Sequence, residues 1–369
     1  MAEMNEKSGQ ERERETVDAL VEALRALPDA HASIASVQRP VGRGSYILDA
    51  EVDLSIANRD VLLLVEVKRA VYPRDVRQIL WQLAQARNEQ AHAMREALPL
   101  VAAESISAGA RELLRAEKIG FFDTGGSLFV PAKGIYLFVD KPIPKTLEKS
   151  VRSLFTGKRS QVLHALLVRH LDWFGVTELA HLAEVSPATA SETLTALDRM
   201  EWVSARGQGP SKERCLSEPS SLLNEWRTQI IASRRSLVRQ RYYIPGGESI
   251  DLAHRLAELC DSAGVEYALT QEAAAQAYAP FLSNISRVAC RMTYGKAATT
   301  VMASLEARVV SEGANLDVIE TKSHSEFLFR EQKDGLWLAS PVQVYLDLLR
   351  GDGRSRDMAE HLRKESLGI

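Results

Sequence analysis

Val61-Leu62-Leu63-Leu64-Val65-Glu66-Val67-Lys68 is the segment that most limits what this chain can fold into. Five consecutive apolar residues indicate a central strand covered on both faces, which places it in a sheet layered with helices. The run ends abruptly on an acid and a lysine two residues apart, on one face of the strand. Before it, Leu48, Ala50, Val52, Leu54 and Ile56 alternate with Asp49, Glu51, Asp53 and Ser55. Period two predicts a half-buried strand from Tyr46 to Ile56, and Ala57-Asn58-Arg59-Asp60 is the turn between the two. Residues 11–27 place Val17, Leu20, Val21, Leu24 and Leu27 on one helical face, stopped by Pro28. Beyond Lys68 the pattern predicts a helix over 73–95, with Gln78 and Gln82 one turn apart. A strand over Pro99–Ser105, a helix over 107–116 and a hairpin (Ile119–Phe122, Leu128–Val130) follow, then the strand-like run Gly134–Val139.

A hairpin centred near Asn58 is expected to bring Asp53 beside Leu64–Glu66, so that Asp53, Glu66 and Lys68 converge at one end of the sheet. Asp53 and Glu66 with a backbone carbonyl are suitable oxygen ligands for Mg²⁺. A metal there activates water and stabilises charge on a phosphate, and the lysine steadies the nucleophile or the transition state. The order helix, three strands, helix, strand, with Asp53, then Glu66-Val67-Lys68, then Gln78 and Gln82, resembles the PD-(D/E)xK restriction-endonuclease-like fold across about residues 11–140. The resemblance implies an αβββαβ core with Asp53, Glu66, Lys68 and Gln78 as catalytic candidates. It also implies a further carboxylate from the first helix, for which Glu22 and Glu15 are the candidates. No proline precedes Asp53, a departure from the motif. The tripeptide alone carries little, since Glu320-Thr321-Lys322 and Glu331-Gln332-Lys333 repeat it. The alternative is a surface Glu–Lys pair at a strand end, on a fold that also serves as a DNA-binding scaffold. Whether the chain is an enzyme stays open at this point.

Proline-punctuated breaks at Lys141-Pro142-Ile143-Pro144-Lys145 and Ile244-Pro245-Gly246-Gly247-Glu248 divide the chain into segments 1–141, 145–240 and 245–369. Charge differs between them. Lys145–Tyr243 holds 15 Lys and Arg against 10 Asp and Glu, within a chain of net charge -3. An excess of five positive charges in the middle leaves -8 elsewhere. The middle segment reads as a helix over Ser160–His170, a short helix Thr177–Glu184, and a tight turn at Val185-Ser186-Pro187. A third helix then runs from Ala188 to about Met200, and strands Trp202–Ala205 and Arg214–Leu216 flank a glycine-rich basic turn. This resembles a winged helix-turn-helix of bacterial transcription-regulator type, carried by VTELAHLAEVSPATASETLTALDRMEWV. The resemblance implies double-stranded DNA as the partner. Ser186, Thr189, Ser191 and Thr195 are the recognition-helix contacts, and Arg206, Lys212 and Arg214 the wing contacts. Glu192 stands where a basic residue is common; it accepts from cytosine N4 or lowers nonspecific affinity. Winged helices also serve as protein-interaction modules. Arg227–Arg241, with Arg227, Arg234, Arg235, Arg239 and Arg241, reads as a solvated helix able to add backbone contacts.

The last segment predicts a helix over Leu252–Ala263, a strand over Val265–Thr270, an alanine-rich helix over Gln271–Ala279, strands at Arg287–Met292 and Leu316–Ile319, and a helix over 341–350 capped by Ser340. YALT, then an alanine helix, then LASPVQVYLDLL resembles the C-terminal domain of AbiEi-type antitoxins. These are transcriptional regulators of type IV toxin–antitoxin systems. The resemblance covers about residues 155–369 and implies a nucleotidyltransferase-type toxin as partner. The nuclease-like first segment is an addition to that layout. The fold is also similar to a degenerate nucleotidyltransferase, α+β, without the Gly-Ser or Asp-x-Asp signature. Cys215, Cys260 and Cys290 lie far apart, which argues against a disulfide scaffold and a cysteine zinc site and fits a reducing, cytoplasmic setting. The first residues lack a signal-peptide apolar core, no run of apolar residues is long enough to span a membrane, and the histidines show no ligand spacing. Oligomeric state is open, a homodimer included. The leading expectation is an AbiEi-like DNA-binding regulator; the alternative is a Mg²⁺-dependent endonuclease targeted by its winged helix.

Overall fold

In the computed structural model the described residues are all but 1, 42–45, 91–95, 143–144, 234–237, 247–248, 283–284, 322 and 352. The chain is mixed α/β. It forms two compact units, Met1–Val151 with Ala196–Glu201, and Arg152–Thr195 with Trp202–Ile369.

The first unit runs α1 (Ala2–Arg25), β1 (Ala30–Val41), β2 (Tyr46–Ile56), β3 (Arg59–Val71), α2 (Pro73–Gln90), β4 (Glu96–Ile106), α3 (Ala108–Ala116), β5 (Gly120–Asp123), β6 (Leu128–Ala132), β7 (Ile135–Val139) and α4 (Lys145–Leu154). Its seven strands lie in sequence order. β1–β2–β3 is an antiparallel meander, β3–β4–β5 is parallel, and β5–β6–β7 returns antiparallel. Parallel neighbours need crossovers, which α2 and α3 supply. The apolar run of β3 explains the layering. Leu63 and Val65 point into a core with Val17, Leu20, Val21 and Leu24 of α1, while Leu64 points into a second core with Val76, Ile79 and Leu83 of α2 and Leu114 of α3. Leu63 and Leu64 are both fully buried, so truncating either to alanine costs about 2–5 kcal/mol. β1 carries few buried residues and no apolar alternation, and the sequence did not announce it.

The second unit begins with α5 (Gly157–Val168), α6 (Val176–Leu182), α7 (Pro187–Arg199, whose residues from Ala196 on count with the first unit), and the hairpin β8 (Val203–Arg206)–β9 (Glu213–Leu216), followed by α8 (Pro219–Ala232). Leu163, Leu166, Leu179 and Leu194 are fully buried. It continues through β10 (Arg239–Tyr243), α9 (Ser249–Ala263), β11 (Tyr267–Thr270), α10 (Gln271–Tyr278), β12 (Val288–Thr293), α11 (Lys296–Ser304), β13 (Arg308–Val309), β14 (Leu316–Thr321), β15 (Glu331–Lys333), β16 (Leu336–Leu338), α12 (Pro341–Leu348) and α13 (Arg354–Leu362). The sheet order is β13-β10-β14-β12-β11-β16-β15. Helices α9 and α11 pack together, and α10, α12 and α13 form another group. Ser340 caps α12 as expected, accepting from the Gln343 N–H at 3.2 Å.

The stretch Arg227–Arg241 is not one helix. α8 stops at Ala232, and Arg239–Tyr243 is an internal strand, held between β13 and β14. Backbone pairing on both sides outweighs its polar composition. Arg234, Arg235, Ile143, Pro144, Gly247, Glu248 and Lys322 lie outside the described residues.

α5 and α12 meet at His164. Its Nε2 shares a 2.5 Å hydrogen bond with Ser340 Oγ, and its ring packs against Phe329 at 5.1 Å. Burial, then the Arg291 charge, push the imidazole down to about 4, against the opposing pull of Asp347. The neutral form is therefore the folded form. Its contribution is fully present above the unfolded value near 6.5 and is lost as pH falls toward 4, roughly 3 kcal/mol across that window. Melting followed between pH 7.5 and 4.5 should show a smaller loss for His164→Gln than for wild type; parallel curves would contradict it.

Candidate functional site

The β2–β3 connection fixes the geometry of the first unit. Ala57 and Asn58 both have left-handed backbone (φ 50° and 58°), the requirement of a two-residue type I′ turn. With Ile56 opposite Arg59, the register runs Asp53↔Leu62 and Ala50↔Val65. The ladder ends at that pair, and Asp49 is the next residue of β2. There the Asp49 carboxylate takes over from the ladder: its Oδ2 accepts the Val67 N–H at 2.7 Å.

Glu66 is 3% exposed, and its two oxygens are taken by the Tyr46 hydroxyl and the Lys68 ammonium. Lys68 is about a third exposed, so its stem is covered while the ammonium faces outward. Burial pushes the Tyr46 phenol up, and its bond to Glu66 adds to the effect. Asp49 is pushed up to about 6, first by burial and then by the Glu66 and Glu13 charges; the Val67 N–H and Lys68 oppose this. Three acids from α1, β2 and β3 therefore act on one locality. The half-buried Glu13 is the α1 carboxylate that senses Asp49.

Several expected residues are placed elsewhere. Asp53 does not join Glu66 and Lys68. Its partner Leu62 precedes Glu66 by four residues, about 13 Å along a strand. Asp53 instead lines an open depression with His31, Asp60 and Glu96. Glu22 is exposed and pairs with Arg25 at 3.0 Å, and Glu15 is exposed. Gln78 is exposed. Gln82 is half-buried, with Oε1 enclosed and, among the described residues, unpartnered. Asp49 and Glu13 were both missed. The place of Asp49 beside Val67 depends on how β2 leaves the ladder, and Glu13 shares the helical face of Val17, Leu20 and Leu24.

The donor set suits a hard divalent cation. Two carboxylates, Asp49 and Glu66, lie within electrostatic reach of each other, and burial first, then the Glu66 charge, raises Asp49. Magnesium is commonly bound through one or two carboxylates plus waters. Asp49 and Glu66 would hold it, with Glu13 nearby. Among the described residues, no group of three His, Cys, Asp or Glu side chains is close enough to hold a metal ion.

In the second unit Ser186 is the N-cap of α7. Its Oγ accepts the Thr189 N–H at 3.1 Å and lies 2.9 Å from Thr189 Oγ1. Ser186, Pro187 and Ala188 are exposed, and Thr189 and Ser191 are half-buried. The exposed Thr195 has its hydroxyl bonded to the Ser191 carbonyl at 2.8 Å. Glu192 is exposed, but its charge is met by Arg159 at 2.9 Å. On the wing, Arg206 bonds Glu213 at 2.6 Å and stacks on Trp173 at 4.4 Å. Lys212 is half-buried. Arg214 is buried, and its backbone exchanges two 2.9 Å bonds with Phe174. The side chain expected on phosphate is buried, on a strand that the Phe174 segment pairs with through its backbone.

No protein-family model matches the chain, and no curated protein matches it. Two solved structures are similar in part. NolR from Sinorhizobium fredii is 19% identical over 23% of this chain and 91% of that one, at a TM-score of 0.17. A repair endonuclease from Pyrococcus abyssi is 20% identical over 27% of this chain and 39% of that one, at a TM-score of 0.19. The chain spans well under half of the latter. Neither likeness is high enough to say what this chain does. Among the described residues no helix is long and apolar enough to cross a membrane.

The strain at Asp49 has a measurable sign. A carboxyl raised to about 6 stabilises the fold below its unfolded value near 3.8 and loses that contribution as pH rises through 6. Asp49→Asn, which keeps an acceptor for Val67, should raise the unfolding free energy at pH 8 in chelator, read by denaturant titration, by an amount on the order of 2–3 kcal/mol. The gain should vanish by pH 4. An equal shift at both pH values would show that ionisation is not its source.

Proposed function

We propose that the chain is a duplex-DNA-binding protein whose binding element is the winged helix of the second unit. The observation that carries this reading is the exposed N-terminal turn of α7, capped by Ser186 and built of small residues, on a three-helix core followed by the β8–β9 hairpin. A helix end with free N–H groups and little side-chain bulk approaches phosphates and base edges closely. The order winged helix, then α+β domain further supports an AbiEi-like transcriptional regulator of a type IV toxin–antitoxin system, with a nucleotidyltransferase-type toxin as partner.

Ser186→Ala is a poor probe, since losing the cap alone costs about 1 kcal/mol. Ala188→Glu separates the effects. An acid in the first turn favours the helix dipole yet repels phosphate. Binding to a 30-base-pair duplex in EDTA should weaken at least tenfold with no loss of thermal stability. Unchanged affinity would remove α7 from the interface.

A second reading, a metal-dependent DNA endonuclease, is favoured by Asp49 lying within electrostatic reach of Glu66 and Lys68. Bound between the carboxylates, Mg²⁺ would supply an activated water and charge neutralisation at the phosphate. Lys68 is held by Glu66, which orients its ammonium toward charge developing on the scissile phosphate. Tyr46 fixes the other Glu66 oxygen. The reading predicts nicking of supercoiled plasmid with Mg²⁺ or Mn²⁺ that is abolished in Asp49→Ala and Lys68→Ala but retained in Asp53→Ala. Intact plasmid with wild type across both metals would leave the first unit as a scaffold.

A further inference from the structure

We propose a second DNA-binding surface, the arginine-bearing face of β10 and β13, which takes the sugar–phosphate backbone of a duplex. The proposal rests on the DNA-binding reading above and extends it beyond the winged helix.

The register supplies the argument. β10 pairs with β14 as Arg239↔Ile319 and Arg241↔Asp317, and with β13 as Tyr243↔Arg308. Residues two apart on a strand share a face, as do directly opposed residues. Arg239, Arg241, Tyr243 and Arg308 therefore lie on one side of the sheet, and all four are exposed. Arg287, at the entry to β12, reaches the same place: its guanidinium lies 3.3 Å from Asp317, as Arg239 does at 3.7 Å.

Asp317 is the acid within this face and is 1% exposed. Its Oδ2 faces two arginines, while its Oδ1 is enclosed without a hydrogen-bond partner among the described residues. One buried carboxylate thus holds two guanidinium groups in position. Arg241 is anchored separately on the Ser311 carbonyl at 3.3 Å. Glu312, next in that loop, is exposed. Counting both acids against the four arginines leaves an excess of two positive charges. A surface of oriented arginines with an exposed tyrosine and no apolar groove is complementary to a regularly spaced polyanion. Backbone contacts of this kind add affinity and salt dependence without reading sequence.

The test uses the full chain in EDTA. Binding of its best duplex and of a random duplex of equal length is measured by anisotropy at several KCl concentrations. Arg239→Ala/Arg241→Ala/Arg308→Ala should weaken both duplexes at least tenfold and keep their ratio. The slope of log K against log salt should fall by about 2–3, at roughly 0.9 per phosphate contact. The single variant Arg308→Glu, on the two-residue edge strand, guards against a folding defect and should move the same way. The corresponding lysine variants should restore most of the slope. Wild-type affinity and slope in both the triple variant and Arg308→Glu would overturn the second surface. Failure of wild type to bind either duplex would overturn the DNA-binding reading itself, and this proposal with it.

Discussion

The length of one turn governs the first unit. Ala57 and Asn58, both left-handed, close β2 onto β3 with two residues and set every cross-strand pair behind them. That register sends Val52, Leu54, Leu63 and Val65 into the core beneath α1. Just past the last pair of that ladder, Asp49 accepts the Val67 N–H and feels the Glu66 charge. A slip of one residue would exchange the faces of a whole strand and turn Glu51 and Asp53 toward the apolar core beneath α1 in place of leucine and valine.

The elements legible in the sequence were those whose apolar period is strong. The β3 run and the α6–α7 phrase reappear within a few residues of their expected bounds, while the α1 stripe sits in a helix that starts nine residues earlier than expected. What failed to show has physical reasons. β1 and β10 are strands by backbone pairing, and their side chains are mostly polar or exposed, so no period marks them. α11 is built of small residues with little amphipathic contrast. At the candidate site Glu66 and Lys68 are legible from the end of β3, but Asp49 carries no signal in the sequence. Its place beside Val67 depends on how β2 leaves the ladder, which motif spacing alone does not fix. Arg214 reads as a wing cation because it flanks a basic turn, whereas its side chain is buried and its backbone pairs with Phe174, forty residues earlier.

The second unit concentrates charge in its interior. Asp347 is 1% exposed and receives Thr270 at 2.7 Å, Gln343 at 3.0 Å and two bonds from Arg291 at 2.6 and 2.9 Å; Arg291 also meets Glu326. Every acceptor site on that carboxylate is used, which is the condition under which a buried ion pair is tolerated. Removing one partner would leave the other uncompensated, at a cost of about 3–5 kcal/mol. The network joins β11, β12 and α12, residues far apart in sequence. Thr270 and Gln271 lie at the junction of β11 and α10. Here they tie the sheet to α12.

The contact between His164 and Ser340 bears on modularity. Winged helices are commonly treated as cassettes that can be cut out and attached elsewhere. In this chain the inner face of α5 is completed by the cap of a helix 176 residues further along. Excised at residue 240, the cassette would present a bare imidazole and the apolar surface around it to water. The folding unit here is the helical segment together with α12, and a graft of the first alone would carry an unfinished interior.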